Sequence, residues 1–112
     1  MKGGFIMGSI RELTITDLNR IFKKFPLYSQ EDKKDHRVIL EFYIPNQNIY
    51  WLITEGSIEY GDFIMFGYCK ITDGELGYVS FKELVSTNFD IRYKIHKRII
   101  KLSKLKQKYT LF

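Results

Sequence analysis

The feature that most constrains this chain is the stretch from Trp51 to Leu84, WLITEGSIEYGDFIMFGYCKITDGELGYVSFKEL. In it, short runs of β-branched and aromatic residues alternate with glycine-containing turn signals, a pattern typical of antiparallel strands. Asp73-Gly74 predicts a two-residue hairpin. Gly67 interrupts an apolar run and predicts a bulge or a close approach of another group to the backbone. The stretch therefore predicts the central meander of a small β-rich domain.

The flanking segments predict the remaining elements. A helix is expected from Ile10 to Phe25, with Thr16 as N-cap and Pro26 as terminator. Strands are expected over 37–44, 49–54, 63–72, 75–79 and 88–96, with a loop over 55–62. Ser80 and Glu83 form a capping-box pattern for a short helix that ends near residues 86–87. A basic amphipathic helix closes the chain, and a single helix from about residue 90 is the alternative.

The predicted fold is α+β, with a small twisted antiparallel sheet of four to five strands, an N-terminal helix and a basic C-terminal helix. A chain of 112 residues is long enough for one domain, taken here as 1–112. Residues 1–9 are expected to be a frayed extension, and translation from Met1 or from Met7 is compatible with this. No apolar run approaches the roughly 18 residues of a membrane-spanning helix. A single cysteine, Cys69, is consistent with a cytoplasmic protein.

Charge is distributed unevenly along the chain. Residues 91–112 carry eight Lys/Arg and no acid, whereas residues 1–90 carry ten Lys/Arg and thirteen Asp/Glu. Such a basic segment releases counterions from nucleic acid, binds an acidic protein surface, or keeps the chain soluble. We therefore predict residues 91–112 as a basic strand and helix extension with a possible nucleic-acid partner. Its candidate binding residues are Arg92, Lys94, Lys97, Arg98, Lys101 and Lys104.

Aromatic residues are dense in the central stretch. Alternate aromatics on one face of a sheet can stack unpaired bases, and Tyr and Trp also dominate protein–protein hot spots. The competing interpretation is ordinary core packing, which is expected for most of these rings. The candidate binding residues among them are Tyr50, Trp51, Tyr68 and Tyr78.

No catalytic residues, metal ligands or cofactors are predicted. His36 and His96 are isolated from each other in sequence and are expected to be structural or surface residues. The acids of the central stretch lie in predicted loops, where solvated carboxylates are ordinary. A hydrolase or nuclease that uses Glu55, Asp62 and Glu75 is kept as the weakest alternative.

Four short segments of the chain stand in a characteristic order. They are Pro26-Leu27-Tyr28-Ser29-Gln30-Glu31, Trp51-Leu52-Ile53-Thr54-Glu55 after a strand that ends at Pro45, Gly61-Asp62 with Phe66-Gly67-Tyr68, and Glu75-Leu76-Gly77-Tyr78-Val79-Ser80 with Glu83-Leu84. Over about residues 15–88 the chain resembles a bacterial domain-of-unknown-function family of short proteins carried mostly by plasmids, integrative elements and phages. The basic C-terminal segment departs from that pattern.

The resemblance implies a genetic context rather than an activity. Accessory genes of mobile elements often encode small proteins that block host defences, CRISPR–Cas systems included. The net charge of +5 argues against mimicry of DNA and favours direct binding of a host protein complex such as a defence nuclease. The main hypothesis is thus a non-enzymatic interaction protein, monomer or homodimer, and the alternative is a small nucleic-acid-binding protein.

Overall fold

The computed structural model describes residues 5–110 and has an α+β fold. Its strands are β1 (Phe5–Ser9), β2 (Leu40–Tyr43), β3 (Tyr50–Glu59), β4 (Asp62–Lys70), β5 (Gly74–Ser80) and β6 (Arg92–His96). Its α-helices are α1 (Ile15–Ile21), α2 (Phe81–Ser86) and α3 (Leu102–Thr110). The strands form one open antiparallel sheet in the order β1-β6-β2-β3-β4-β5. The described part of the chain thus has six strands, where four to five were expected.

The additional strand, β1, lies in the segment that was expected to fray. It pairs with β6 over its whole length, from Phe5 opposite His96 to Ser9 opposite Arg92. The expectation is therefore wrong for residues 5–9, while residues 1–4 lie outside the described residues. A five-residue edge strand with a glycine in it has a weak sequence signal, and its stability comes from the neighbour that it pairs with.

The first helix is shorter than predicted because a different threonine caps it. Thr14 Oγ1 accepts the Asp17 N–H at 3.0 Å, and the Asp17 carboxylate accepts the Thr14 N–H at 3.0 Å. This reciprocal capping box starts α1 at Ile15, so Thr16 lies inside the helix. Ile10 belongs instead to a separate 3₁₀ turn, which Ser9 caps.

The segment 55–62, predicted as a loop, forms the turn end of the β3–β4 hairpin. Glu59 pairs with Asp62, which leaves Tyr60 and Gly61 as a two-residue turn. Both turn residues have positive φ, 51° and 79°, as a type I′ turn requires. A tyrosine is uncommon at such a position, which is why the turn signal was missed.

The expectations for Gly67 and for the next hairpin are met in part. The ladder of β3 and β4 shifts register between Ile53 and Glu55, beside Gly67. A Cβ at Gly67 would collide with the carbonyl group of Leu52, so the expected close approach is confirmed. The β4–β5 hairpin pairs Lys70 with Gly74, and its loop is the three residues 71–73 rather than Asp73-Gly74.

The C-terminal segment is built into the sheet. β6 lies between β1 and β2, so it is an internal strand and not an extension of the domain. A single helix from residue 90 is excluded because residues 92–95 are paired on both sides. The strand expected over 37–44 is limited to β2, and Arg37 makes an isolated bridge with Lys101. Ser80 caps α2 as predicted, through the Glu83 N–H.

The two faces of the sheet are covered differently. The main core lies on the face that α1 and α2 cover, and its buried residues include Phe42, Trp51 and Phe63. On the other face, called here the α3 face, Leu105 of α3 packs on Val38, Tyr50 and Leu52. No helix within residues 5–110 is long and apolar enough to cross a membrane. The α3 face beyond the reach of α3, over β4 and β5, carries the candidate site.

Candidate docking surface

The site is built on a buried carboxylate, that of Glu55. Glu55 follows the register shift in β3, pairs with Phe66 and is only 3% exposed. Its Oε1 accepts the Tyr28 N–H and its Oε2 accepts the Gln30 N–H, each at 2.8 Å. Hydrogen bonds from two backbone amides satisfy the buried charge. Glu55 thereby ties the loop after α1 to the sheet.

Gln30 makes a second attachment of the same loop. Its side-chain Nε2 donates to the carbonyl groups of Arg37 and Thr54, at 2.9 and 2.8 Å. Its Oε1 accepts the Arg37 N–H at 2.6 Å. Because Gln30 is itself buried, these bonds hold the loop in one conformation.

Tyr28 occupies a backbone conformation that side chains disfavour. Its φ is +74°, in the left-handed region that costs a non-glycine residue about 1–2 kcal/mol. The Glu55 hydrogen bond holds this conformation, and the Tyr28 side chain remains 59% exposed. Strained positions that the surroundings enforce cluster at functional sites. The fold therefore holds this ring at the surface at a cost in stability.

Tyr28 lies beside further exposed apolar side chains. Tyr78 and Leu76 of β5 are 57% and 55% exposed, and two-residue spacing places them on the same face. The rings of Phe66 and Tyr78 have centroids 5.0 Å apart. Tyr28 adjoins these residues because its N–H is bonded to Glu55, which pairs with Phe66 opposite Tyr78, and the proximity of Tyr28 raises the pKa of the Tyr78 phenol. We call Tyr28, Phe66, Leu76 and Tyr78 the Tyr28–Tyr78 patch.

The four aromatic binding candidates have different positions. Tyr78 is part of the patch, and Tyr68 lies next to it with the Lys106 ammonium 4.3 Å from its ring centroid. Tyr50 is 3% exposed and stacks on Tyr109 at a centroid distance of 3.8 Å. Trp51 is 6% exposed and belongs to the main core. Tyr50 and Trp51 are thus core residues. The prediction that they bind a partner is wrong, because their rings are not available at the surface.

The six basic candidates do not form one stripe. Lys94 lies over the Tyr43 ring, and with Lys108 it lines a cleft of about 230 Å³ between the sheet and α3. Arg92 is exposed and pairs with Asp90 at 3.0 Å. The remaining candidates are exposed on the β6–α3 connection and on α3 itself: Lys97, Arg98, Lys101 and Lys104. Only Lys94 shares a cleft with aromatic rings, those of Tyr43 and Tyr109.

Sequence reasoning missed a buried polar cluster at the floor of that cleft. Glu41 is 2% exposed, and its two carboxylate oxygens lie 2.7 Å from His96 Nε2 and 2.6 Å from the Tyr109 hydroxyl. Burial opposes ionisation of Glu41, but the hydrogen bonds from His96 and Tyr109 outweigh it and lower its pKa. Burial and the Glu41 charge strongly raise the pKa of Tyr109. The three residues come from distant elements, so no spacing in the sequence announced the cluster.

The three acids of the hydrolase alternative are not brought together. Glu55 binds backbone amides on the α3 face, while Glu75 pairs with Cys69 and lies on the opposite face. Asp62 binds the Ser80 hydroxyl and the Phe63 and Lys82 amides, and these bonds lower its pKa against the effect of burial. Within residues 5–110 no group of three or more His, Cys, Asp or Glu could hold a metal ion.

Comparison with known families identifies the chain. The model of the family described as protein of unknown function (DUF2958) matches residues 13–106, and the chain belongs to that family. The match extends past the 15–88 expected from the resemblance and includes β6 and the start of α3, so the basic segment is part of the family domain as far as residue 106. No curated protein and no solved structure gives a match.

Proposed function

We propose that this protein is a non-enzymatic interaction protein that docks another protein on the Tyr28–Tyr78 patch. The observation that carries the proposal is the enforced left-handed backbone of Tyr28, held by the buried Glu55 carboxylate while the ring stays exposed. An exposed cluster of aromatic side chains on rigid elements is the composition of a protein–protein hot spot. The hydrogen bonds of Glu55 within the site join the loop after α1 to the sheet.

The finer part of the proposal concerns the partner. The resemblance to mobile-element proteins supports a partner in a host defence system, such as a CRISPR–Cas nuclease complex, with inhibition through direct protein binding. The net charge of +5 opposes mimicry of nucleic acid as the way of blocking such a complex. The partner is thus expected to recognise apolar rings and not an acidic surface.

The test is capture by tagged full-length protein from a bacterial lysate that contains CRISPR–Cas effectors, with and without nuclease treatment. A stoichiometric protein is expected to bind the native protein in both conditions. The double variant Tyr28→Ala/Tyr78→Ala is expected to lose at least about tenfold in affinity, since each hot-spot aromatic contributes about 2 kcal/mol or more. Purified partner should then be inhibited by the native protein only.

The matched control is Tyr60→Ala. Tyr60 is a fully exposed tyrosine in the β3–β4 turn, outside the patch, so its removal is expected to leave capture unchanged. Capture that the patch variant retains would refute the patch as the docking site. Capture that disappears with nuclease would favour the second candidate function, which is binding of nucleic acid.

The second candidate is binding of nucleic acid by the basic cleft and the C-terminal helix. It is favoured by one observation: Lys94 of β6 and Lys108 of α3 line the same cleft as Tyr43 and Tyr109. Both carboxylate oxygens of the buried Glu41 below them are already bonded, to His96 and to Tyr109. Cations next to aromatic rings are the combination that single-stranded nucleic acids recognise.

Its test is the salt dependence of binding to single-stranded RNA and DNA. Lys94→Glu/Lys108→Glu is expected to weaken binding of every sequence and to reduce the slope of log K against log salt by about 1–2. The matched control is Lys23→Glu/Lys24→Glu, which replaces two exposed cations in the turn after α1 and should leave the slope nearly unchanged. Deletion of residues 91–112 is not used because it removes an internal strand. Equal slopes in both double variants would rule the cleft out.

A further inference from the structure

The strand β5 forms one edge of the sheet. It pairs with β4 on one side, and no other strand within residues 5–110 pairs with its outer side. Edge strands of soluble proteins are commonly protected by lysine, proline or a bulge. The strand GELGYVS has no lysine and no proline, its register with β4 is regular, and Glu75 is its one charge. This edge therefore retains the features of a surface that accepts another strand.

The outward-pointing backbone groups can be identified from the ladder. Glu59 and Asp62, the pair that flanks the turn, direct their N–H and C=O groups at each other. Along β4 the backbone groups then point alternately toward β3 and toward β5. Phe66 accordingly faces β3, where its carbonyl accepts a hydrogen bond from Thr54 Oγ1. The next residue, Gly67, must then face β5.

The same alternation continues into β5. Gly67 pairs with Gly77, so Gly77 and its second neighbours direct their backbone groups toward β4. Leu76 and Tyr78 consequently direct their N–H and C=O groups to the outer edge. Their side chains are those of the patch and are each more than half exposed.

We propose that two copies of this chain pair antiparallel through β5, with the twofold axis at Gly77. In this register Leu76 of each copy is opposite Tyr78 of the partner copy, and both residues present outward backbone groups. Gly74 is then opposite Ser80, so all seven residues of the strand are paired. The result is a continuous sheet that joins two Tyr28–Tyr78 patches on one face. This inference does not depend on the proposed function.

Charge disfavours one alternative register. With the axis at Gly77, Glu75 is opposite the apolar Val79, whereas an axis at residue 75 would place two Glu75 carboxylates opposite each other. The cations of β6 lie four strand spacings from β5, about 19 Å away, which is more than twice the Debye length at physiological ionic strength. These β6 cations therefore do not oppose the contact, whereas Lys34 and Lys106, which line a cleft with Leu76, lie closer to it.

The contact is small, and the expected affinity follows from its size. Seven paired residues span about 23 Å. Strand pairing with the Leu76–Tyr78 contacts buries less than the roughly 1,200 Å² of a stable standard interface. We expect a dissociation constant on the order of 10–100 μM, and a shift in sedimentation mass from 13.4 kDa toward twice that value with concentration.

Disulfide trapping tests the register. Gly77 and its counterpart would form a non-hydrogen-bonded pair with Cα atoms about 4.5 Å apart, within the range that a disulfide bridges. A Cβ at Gly77 meets no atom within 4 Å, so Gly77→Cys is compatible with the monomer. The variants carry Cys69→Ala, although burial already raises the pKa of the Cys69 thiol to about 11. Gly77→Cys is expected to cross-link to a dimer under mild oxidation.

The controls use the neighbouring positions. Glu75→Cys alone and Val79→Cys alone are expected to stay monomeric, because each thiol would be about 14 Å from its own counterpart. A mixture of the two variants is expected to cross-link, since residues 75 and 79 are opposite each other. Monomers at all concentrations with no Gly77→Cys cross-link, or equal cross-linking at all three positions, would overturn the proposal. If the protein stays monomeric, gives no Gly77→Cys cross-link and is found with a foreign peptide paired on β5, the edge binds that peptide and the proposal is overturned.

Leu76→Pro removes an outward N–H without breaking the β4–β5 ladder and is expected to abolish self-association. If its melting curve shows that it does not fold, Leu76→Lys replaces it, because it sets two like charges about 7–8 Å apart across the axis. A folded variant of either kind that still dimerises would refute pairing through β5.

Discussion

At the residue scale, Tyr28 shows how a local conformation is imposed from a distance. Its left-handed backbone is disfavoured by its own Cβ and is held by Glu55, twenty-seven positions along the chain. A ring displayed at this cost is expected to serve binding and not stability.

We therefore predict that Tyr28→Gly is more stable than Tyr28→Ala by about 1 kcal/mol, because glycine adopts positive φ without strain. Both variants lose the same ring and are expected to lose partner capture equally. Urea denaturation of the two variants measures the difference. A more stable alanine variant would show that the backbone at this position is not strained.

The second residue-scale prediction concerns Glu41. Its lowered pKa means that the cluster stabilises the fold above the ordinary glutamate pKa of 4.5, and that this contribution is lost as the pH falls from there through the lowered value. Tyr109→Phe removes one hydrogen-bond donor to the buried carboxylate and is expected to cost about 1–3 kcal/mol at neutral pH. The cost should shrink in acid, where Glu41 is protonated.

Denaturant unfolding of both proteins between neutral and acid pH measures this dependence. Tyr60→Phe is the control, since its ring is fully exposed. His96 and Lys94 also act on Glu41, so the comparison is between variants at each pH. A cost of Tyr109→Phe that is the same at all pH values would contradict the assignment.

At the scale of elements, two glycines of neighbouring strands have opposite roles. Gly67 of β4 lies against the Leu52 carbonyl, whereas Gly77 of β5 is open on its side of the sheet. Gly67→Ala is expected to destabilise the protein by at least about 2 kcal/mol, because a backbone atom and not a flexible side chain is in the way.

Gly77→Ala is the matched control and is expected to change stability by no more than about 0.5 kcal/mol. Thermal or urea unfolding of the two alanine variants distinguishes the positions. Equal losses would mean that the register shift beside Gly67 relaxes to accept a side chain.

At the scale of the whole molecule, the cations of β6 are separated from the Tyr28–Tyr78 patch, although Lys106 of α3 lies over Tyr68 next to the patch. The cations of β6 and of the β6–α3 connection lie toward one end of the sheet, and the Tyr28–Tyr78 patch lies at the other, across β3 and β4. The two proposed functions thus use different regions of one face. Substitutions can test each region without altering the other.

Short-range features were predictable in part. The Ser80 cap, the close approach at Gly67 and the presence of a β4–β5 hairpin follow from interactions over a few residues. The helix cap and the Tyr60-Gly61 turn were missed, because Thr14 and Thr16 are equally good caps in isolation and tyrosine is a weak turn signal. Local signals of similar strength are decided by the surrounding structure.

The sequence by itself determined the class of fold, since alternating apolar residues and caps act locally and depend little on distant residues. Only the tertiary structure decided that β6 is inserted between β1 and β2 and that Glu55 holds Tyr28. It also decided that Tyr50 and Trp51 are buried while Tyr78 is exposed. The physical reason is that strand pairing and burial join residues far apart in the chain, where the free energy depends on how all elements pack together and not on any one pattern.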